Sequence, residues 1–451
     1  MTDTVYDMVI LGAGSGGYAA ALRGAQLGLT VALIEADKIG GTCLHRGCVP
    51  TKAILHSAET AEAVREAASV GVNAVFQGLD MPAVQKYKNG VVSRMHKGLE
   101  GLVASRGIEV VRGWGRLVAR DTVEVNGRRY RGRNIVLASG SFSKTIGQEI
   151  SGPVMTSDQA LELDRVPSSA VILGGGVIGV EFASAWASMG SRVTIIEGLP
   201  RLVPNEDEAV SKQLERAFRK RKIAFKTNTM FESVERTATG VTVRTADSKT
   251  YDAEVLLIAV GRGPATANLG YEEAGVAMDR GFVLTDDYGR TNVDGVWAVG
   301  DIVPGVQLAH RGFAQGIVVA EKIAGLDPRP VDDTLVPKVT FCEPEIASVG
   351  LSEAQAIEIH GAEKVTTAEF NVAGNAKSQI LGTQGFVKLV SLKDGPVVGF
   401  HAIGTRKGQL IVSWEADAHD VASLVHAHPT QNETIGEAAM ALAGKPLHNH
   451  G

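Results

Sequence analysis

Cysteine is scarce in this chain: three residues in 451, at positions 43, 48 and 342. So few exclude a disulfide-stapled secreted scaffold, and no four ligand residues show the spacing of a structural metal site. An excess of one charge is missing too. The 45 basic and 50 acidic residues leave a formal net charge of −5, which gives no general attraction to nucleic acid or to an anionic membrane. No run of about 18 uninterrupted apolar residues occurs, and the most apolar N-terminal stretch, Met8 to Leu11, has the length of a strand rather than of a signal core. Low-complexity tracts, proline-rich linkers and an appended lipoyl-type or metal-binding module are also absent. A soluble, cytoplasmic body without a metal is expected, and its length predicts two or three domains.

What is present is concentrated. Cys43 and Cys48 sit in Gly-Gly-Thr-Cys-Leu-His-Arg-Gly-Cys-Val-Pro-Thr-Lys, residues 40 to 52, just after a glycine-rich unit that ends at Glu35. On a regular helix, residues five apart are rotated by roughly 140° with Cα atoms about 8.6 Å from one another, whereas a disulfide needs about 4.4–6.8 Å. If the two cysteines bridge, the segment is not plain helix. Gly47 then supplies the backbone freedom and Pro50 the start of the next helix. A free cysteine is normally a small apolar filler. Here the flanking Gly40, Gly41 and Gly47 weaken that reading, and a lone close pair in a reducing compartment points to redox use.

An internal repeat organises the chain. Tyr6 to Glu35 and Ala170 to Glu197 each read as an apolar strand, a glycine turn, a small-residue helix, a second apolar strand and a terminal carboxylate. Gly12, Gly14 and Gly17 precede Glu35 at the same spacing with which Gly174, Gly176 and Gly179 precede Glu197. The first glycine makes the tight turn, the second lets a pyrophosphate approach the backbone, and the third lets helix pack on strand. The phosphates then meet a helix N-terminus. The acid is placed to accept from a ribose 2′-hydroxyl and repels a 2′-phosphate, so Glu197 favours NAD over NADP. Further buried-strand patterns end in glycine at 134–140, 254–261 and 295–300, the last placing Asp301 at the carboxyl end of its strand, where ligands of open α/β sheets bind. From about residue 331 the glycine-turn pattern gives way to an α+β region with strands near 385–391 and 397–403.

These residues together resemble the pyridine nucleotide-disulfide oxidoreductases, class I, and within that family the dihydrolipoamide dehydrogenase branch. The likeness spans essentially the whole chain, through the two glycine motifs, Thr42 to Lys52, Val-Gly-Arg at 260–262, 291–301, Phe-Cys-Glu-Pro-Glu at 341–345 and His-Pro-Thr-Gln-Asn-Glu at 428–433. The resemblance implies an α/β fold of two Rossmann-like FAD/NAD-binding domains plus a C-terminal α+β dimerisation domain. The first FAD-binding part spans 1–145, the NAD-binding domain 146–263, the second FAD-binding or central part 264–330 and the dimerisation domain 331–451. It implies FAD on the first unit, with Glu35 on the adenosine ribose, Thr42, Gly115, Gly140 and Ala309 near the cofactor and Asp301 towards the ribityl chain. It places NAD on the second unit, with Glu197 and Gly261, and sets Lys52 near the flavin, paired with Glu181. A homodimer is implied, each subunit delivering His428 and Glu433 to its partner's site, and a lipoyl-bearing acyltransferase of a 2-oxo acid dehydrogenase complex is the implied partner.

Thiol–disulfide exchange needs a thiolate, hence a base near the dithiol. His428 suits that task near neutral pH, with Glu433 steadying its other ring nitrogen, and His426 is the competing choice. On the family pattern Cys43 is the sulfur that meets dihydrolipoamide and Cys48 the one that faces the flavin. Three departures stand out: His45 replaces an asparagine, Ser139 a threonine, and residues 142–150 lack the usual proline-bearing loop. They leave room for an altered partner or another disulfide substrate, such as a low-molecular-weight disulfide of the glutathione or mycothiol type; a non-catalytic flavin-binding subunit is a further alternative, against which the intact Cys, His and Glu set argues.

Overall fold

The computed structural model describes residues 4–371, 380, 382, 384–393, 397–404, 423–425, 445 and 447. The first glycine unit is formed by β1 (Val5–Leu11), α1 (Ser15–Gln26) and β2 (Val31–Glu35). β1 and β2 run parallel, Met8 opposite Val31 through Leu11 opposite Ile34. Met8, Val9 and Ile10 are wholly buried, as a central strand covered on both faces requires. The dithiol segment follows as two helices, α2 (Gly41–Arg46) and α3 (Cys48–Glu66). After α4 (Met81–Ser105) the chain returns through β3 (Glu109–Arg112), β4 (Gly115–Ala119), β5 (Thr122–Val125) and the long β6 (Arg128–Leu137). The sheet order is β3-β2-β1-β6-β5-β4.

The second unit repeats the plan. Beyond β7 (Ser141–Ser143), β8 (Val154–Met155) and the single turn α5 (Ser157–Ala160), it comprises β9 (Ser169–Leu173), α6 (Val177–Met189) and β10 (Arg192–Ile196). It continues through α7 (Glu208–Lys220) and β11 (Ala224–Lys226), then an antiparallel meander of β12 (Phe231–Arg236), β13 (Val241–Thr245) and β14 (Thr250–Ala253), and closes with β15 (Val255–Ile258). Its main sheet is parallel in the order β11-β10-β9-β15-β8.

β16 (Arg262–Pro264) pairs with β7, so one antiparallel ribbon carries the chain out to the second sheet and back. After the small hairpin of β17 (Met278–Asp279) and β18 (Phe282–Val283), β19 (Val296–Ala298) joins the first sheet beside β6. α8 (Ala309–Ile323) then packs on α1 through glycine contacts, a Cβ on Gly316 falling 2.3 Å from the Gly16 carbonyl oxygen. The last region is β20 (Lys338–Thr340), β21 (Glu345–Gly350), α9 (Glu353–His360), β22 (Val365–Asn371), β23 (Phe386–Leu392) and β24 (Val397–Gly404), an antiparallel sheet in the order β20-β21-β24-β23-β22.

The strands expected to reach Gly140, Gly261 and Gly300 stop earlier, at Leu137, Ile258 and Ala298. Those glycines have φ of +76°, +103° and +77°, a left-handed backbone that ends a strand and turns it into the site. Likewise α3 begins at Cys48, two residues before the expected Pro50.

Candidate active site

Both glycine turns are built alike. Gly12 and Gly174 have φ of +106° and +103°, and a Cβ on either would lie within 2.4 Å of a carbonyl oxygen, of Ala138 and Ala259 respectively. On Gly17 a Cβ would sit 1.8 Å from the Gly12 carbonyl oxygen, and on Gly179 1.9 Å from that of Gly174. Gly14 and Gly176 instead face open space, with nothing within 4 Å of an added Cβ. The three positions thus separate into a turn, an opening and a helix contact.

Each acid is held by two backbone amides. Glu35 accepts from Ala13 at 2.8 Å and Asp37 at 2.9 Å, and Glu197 from Gly175 and from Leu199, the latter at 2.7 Å. Arg201, the nearby cation that could draw a 2′-phosphate, donates instead to the carbonyls of Pro204 at 2.7 Å and Glu206 at 3.1 Å.

One cleft of about 1490 Å³ collects Gly14, Thr42, Cys43, Cys48, Lys52, Gly140, Gly174, Gly176, Glu181, Glu197, Gly261, Asp301 and Ala309. Gly12, Gly17 and Gly179 lie beneath the turns, Glu35 is not part of the cleft's lining, and Gly115 is buried against Leu11, Ile34 and Val123. His428, Glu433 and His426 lie outside the described residues. α1, α3, α6 and α8 start at this cleft without a side-chain cap, whereas α9, which also starts there, is capped by Ser352, and α4 and α7 are capped by Asp80 and Asp207. Uncapped helix starts leave amide donors for an anion. Together with the openings at Gly14 and Gly176, they fit two dinucleotide pyrophosphates.

Between the turns stands the dithiol. The helix breaks at Gly47, where a Cβ would come 3.0 Å from the Thr42 carbonyl oxygen and 3.2 Å from the Cys43 Cα. A side chain there would be crowded, so glycine suits the break between α2 and α3. The two unbridged sulfurs hydrogen-bond, and that bond, with burial and the neighbouring Cys48 behind it, pushes the Cys43 thiol well above its ordinary pKa. One turn into α3, Lys52 Nζ donates to both Glu181 carboxylate oxygens, at 2.9 and 2.8 Å. Burial opposes the Lys52 charge, but Glu181 and the two sulfurs outweigh it and hold the ammonium above its usual pKa. Glu181 comes from α6, so this pair ties the dithiol helix to the second glycine unit.

Some participants were not singled out in the sequence. The Phe341 amide donates to Glu181 at 2.8 Å while its ring lies 4.7 Å from Lys52 Nζ. Ser141 donates to Asp301, and Arg262 reaches the Ser141 hydroxyl at 2.8 Å and its carbonyl at 2.7 Å. Phe341 and Arg262 lie in motifs already noted, at 341–345 and 260–262, and Ser141 follows Gly140, so their neighbourhood was visible but their partners were not. Among the described residues no group of three or more His, Cys, Asp or Glu is placed to hold a metal, and no helix is long and apolar enough to cross a membrane.

Comparison with known proteins agrees with this geometry. Over 473 aligned residues the chain is 36% identical to a dihydrolipoyl dehydrogenase of Bacillus subtilis (strain 168), covering 99% of each chain. It is 38% identical to that of Geobacillus stearothermophilus, with 98% of this chain and 97% of the relative covered. Among solved structures, LpdA of Mycobacterium tuberculosis superposes with a TM-score of 0.83 at 26% identity, over 96% of this chain and 99% of that one. The HOCl-induced flavoprotein disulfide reductase RclA of Escherichia coli gives 0.81 at 28% identity, over 95% and 98%. Residues 336–439 match the dimerisation domain of one family and residues 6–316 its main body: the chain belongs to the pyridine nucleotide-disulphide oxidoreductases.

Proposed function

We propose that this protein is an FAD-dependent dihydrolipoamide dehydrogenase that reduces NAD⁺. The observation that carries the reading is the close Cys43–Cys48 pair seated between two glycine turns that lead into uncapped helices in one cleft. FAD belongs on the turn of Gly12, Gly14 and Gly17, with Glu35 for its ribose and Asp301 and Ala309 along its length. NAD⁺ belongs on Gly174, Gly176 and Gly179, with Glu197 for its ribose. Near-complete alignment with dihydrolipoyl dehydrogenases supports the substrate.

In the oxidised enzyme Cys43 and Cys48 are bridged. His428, steadied by Glu433 and contributed by the other subunit of a homodimer, takes the proton of a dihydrolipoamide thiol. The thiolate attacks the Cys43 sulfur, forming a mixed disulfide as the Cys43–Cys48 bond breaks and Cys48 leaves as thiolate. The second lipoyl thiol displaces the Cys43 sulfur, which takes up its proton, closing the lipoamide ring and leaving the dithiol two electrons richer. Bound FAD supplies the two-electron relay from dithiol to pyridine ring that no side chain can provide. Cys48 opens α3 four residues before Lys52, so helix amides and an ammonium face its developing negative charge. The partner in this scheme is a lipoyl-bearing acyltransferase of a 2-oxo acid dehydrogenase complex, in the cytoplasm.

The test compares acceptors. Purified protein should be yellow and oxidise NADH with lipoamide at least about tenfold faster than with glutathione disulfide, and NADPH should serve poorly because Glu197 repels a 2′-phosphate. Equal or faster reduction of glutathione disulfide would overturn the reading.

A further inference from the structure

The segment between β7 and β8 folds back at Thr145–Gln148, where the Gln148 amide donates to the Thr145 carbonyl at 3.0 Å. Both central residues have left-handed backbones, Ile146 at φ +48° and Gly147 at +75°. This is the pattern of a type I′ turn, whose central positions favour Asn, Asp and Gly because a Cβ there crowds the following carbonyl oxygen. A β-branched residue suits it least. Among the described residues only one other β-branched residue has a left-handed backbone, Val203, and it is 2% exposed, so core packing offsets its strain. Ile146 is 45% exposed and lines the cleft. No comparable burial holds it.

The loop is tethered on both sides of that tip. The Lys144 amide donates to Gly261 at 3.0 Å, and Arg236 reaches the Glu149 carbonyl at 2.7 Å and the Ser151 hydroxyl at 3.2 Å. Gly261 lies two residues beyond Ala259, whose carbonyl Gly174 abuts, just past the end of β15. Ile146 therefore stands on the side of the cleft that belongs to the second glycine turn.

We propose that Ile146 forms an apolar wall for the pyridine dinucleotide on the second glycine turn, so that covering its exposed side chain on binding offsets a backbone conformation that is strained in the resting protein. The inference rests on the reading that NAD⁺ occupies that turn. Two variants, Ile146→Asn and Ile146→Val, test it as FAD-loaded dimers by calorimetric titration with NAD⁺ and by thermal melting without it. Asn adopts the left-handed backbone readily, so Ile146→Asn should melt about 1–2 °C higher and bind NAD⁺ about five- to tenfold more weakly. Ile146→Val keeps both strain and wall and should stay within about 1 °C and threefold of the parent. Unchanged NAD⁺ affinity in Ile146→Asn, or a lower melting temperature, overturns the proposal. Both readings are taken on resting enzyme, so they report on Ile146 whether or not dihydrolipoamide is turned over.

Discussion

The two glycine turns agree to within about 0.1 Å in their closest contacts, 2.3 against 2.4 Å at the first glycine and 1.8 against 1.9 Å at the third. What surrounds them differs. The first is packed under Val299 and α8: a Cβ on Gly16 would meet Val299 at 2.8 Å and the Gly312 carbonyl at 3.3 Å. In the second turn Ile178, half-buried, takes the place of Gly16, and the residue before it, Val177, is 42% exposed. The backbone of the turn is therefore the same in both copies, and the cover distinguishes them. A covered turn suits a group that stays bound through every turnover, an open one a group that leaves after each.

The largest effect should come from the chemistry between the turns. Cys48→Ser should lower dihydrolipoamide turnover more than about 10³-fold while the protein stays yellow, since neither glycine turn is touched. Mixing it with an inactive His428→Gln chain under subunit exchange should restore measurable turnover; no recovery despite proven exchange would remove the shared site. Next in size are Gly17→Ala and Gly179→Ala, each forcing a Cβ into a carbonyl oxygen at the base of its turn. Gly17→Ala should purify with less than about a tenth of its FAD. Gly179→Ala should keep its FAD but bind NAD⁺ more than about tenfold more weakly. If Gly179→Ala also loses flavin, the turns do not act independently, and the contrast between covered and open copies fails.

How far the sequence alone reaches is clear at these same residues. The matched spacing of three glycines and an acid revealed both turns, because phosphate approach, tight turn and helix contact each demand glycine at a fixed place. The break between Cys43 and Cys48 followed from disulfide geometry. The Lys52–Glu181 pair, 129 positions apart, came only from family resemblance, as periodicity carries no information about such a contact. The absence of caps at four helix starts around one cleft has no meaning until the fold brings those starts together. Ile146 was hidden for a similar reason: its left-handed backbone belongs to a turn fixed by Gly261 and Arg236, far along the chain.

A smaller effect tests the link between the two copies. Glu181→Gln removes the charge that Lys52 meets from the second unit and leaves an ammonium that is only 22% exposed. Stranding a buried ion costs about 3–5 kcal/mol, and the residual exposure of Lys52 places this case at the lower end. Melting temperature should drop by about 2–4 °C, with turnover reduced about tenfold and both nucleotides still bound. A loss confined to NAD⁺ affinity would place Glu181 in the second site alone rather than between the two.

The smallest effect on turnover is expected where the C-terminal sheet meets α6, away from both turns. Glu343 donates its amide to the Ser184 hydroxyl at 2.8 Å and receives Arg221 on its carbonyl at 2.8 Å. Burial raises its carboxyl to about 7 against the pull of Arg221, with Glu62, Glu345 and Glu59 adding repulsion. Because the folded value lies above the unfolded 4.5, the folded state binds this proton more tightly. Its contribution to stability is therefore full below about pH 4.5 and is lost as pH rises through about 7, a swing of about 3 kcal/mol. For a chain of this length that corresponds to about 2–4 °C. Glu343→Gln, neutral at every pH, should flatten the fall in melting temperature between pH 5 and 8 and raise it at pH 8, with NAD⁺ affinity unchanged. A slope as steep as the parent's would mean that another group titrates there, and a weakened NAD⁺ site would mean that the open turn depends on the C-terminal sheet as well as on its own cover.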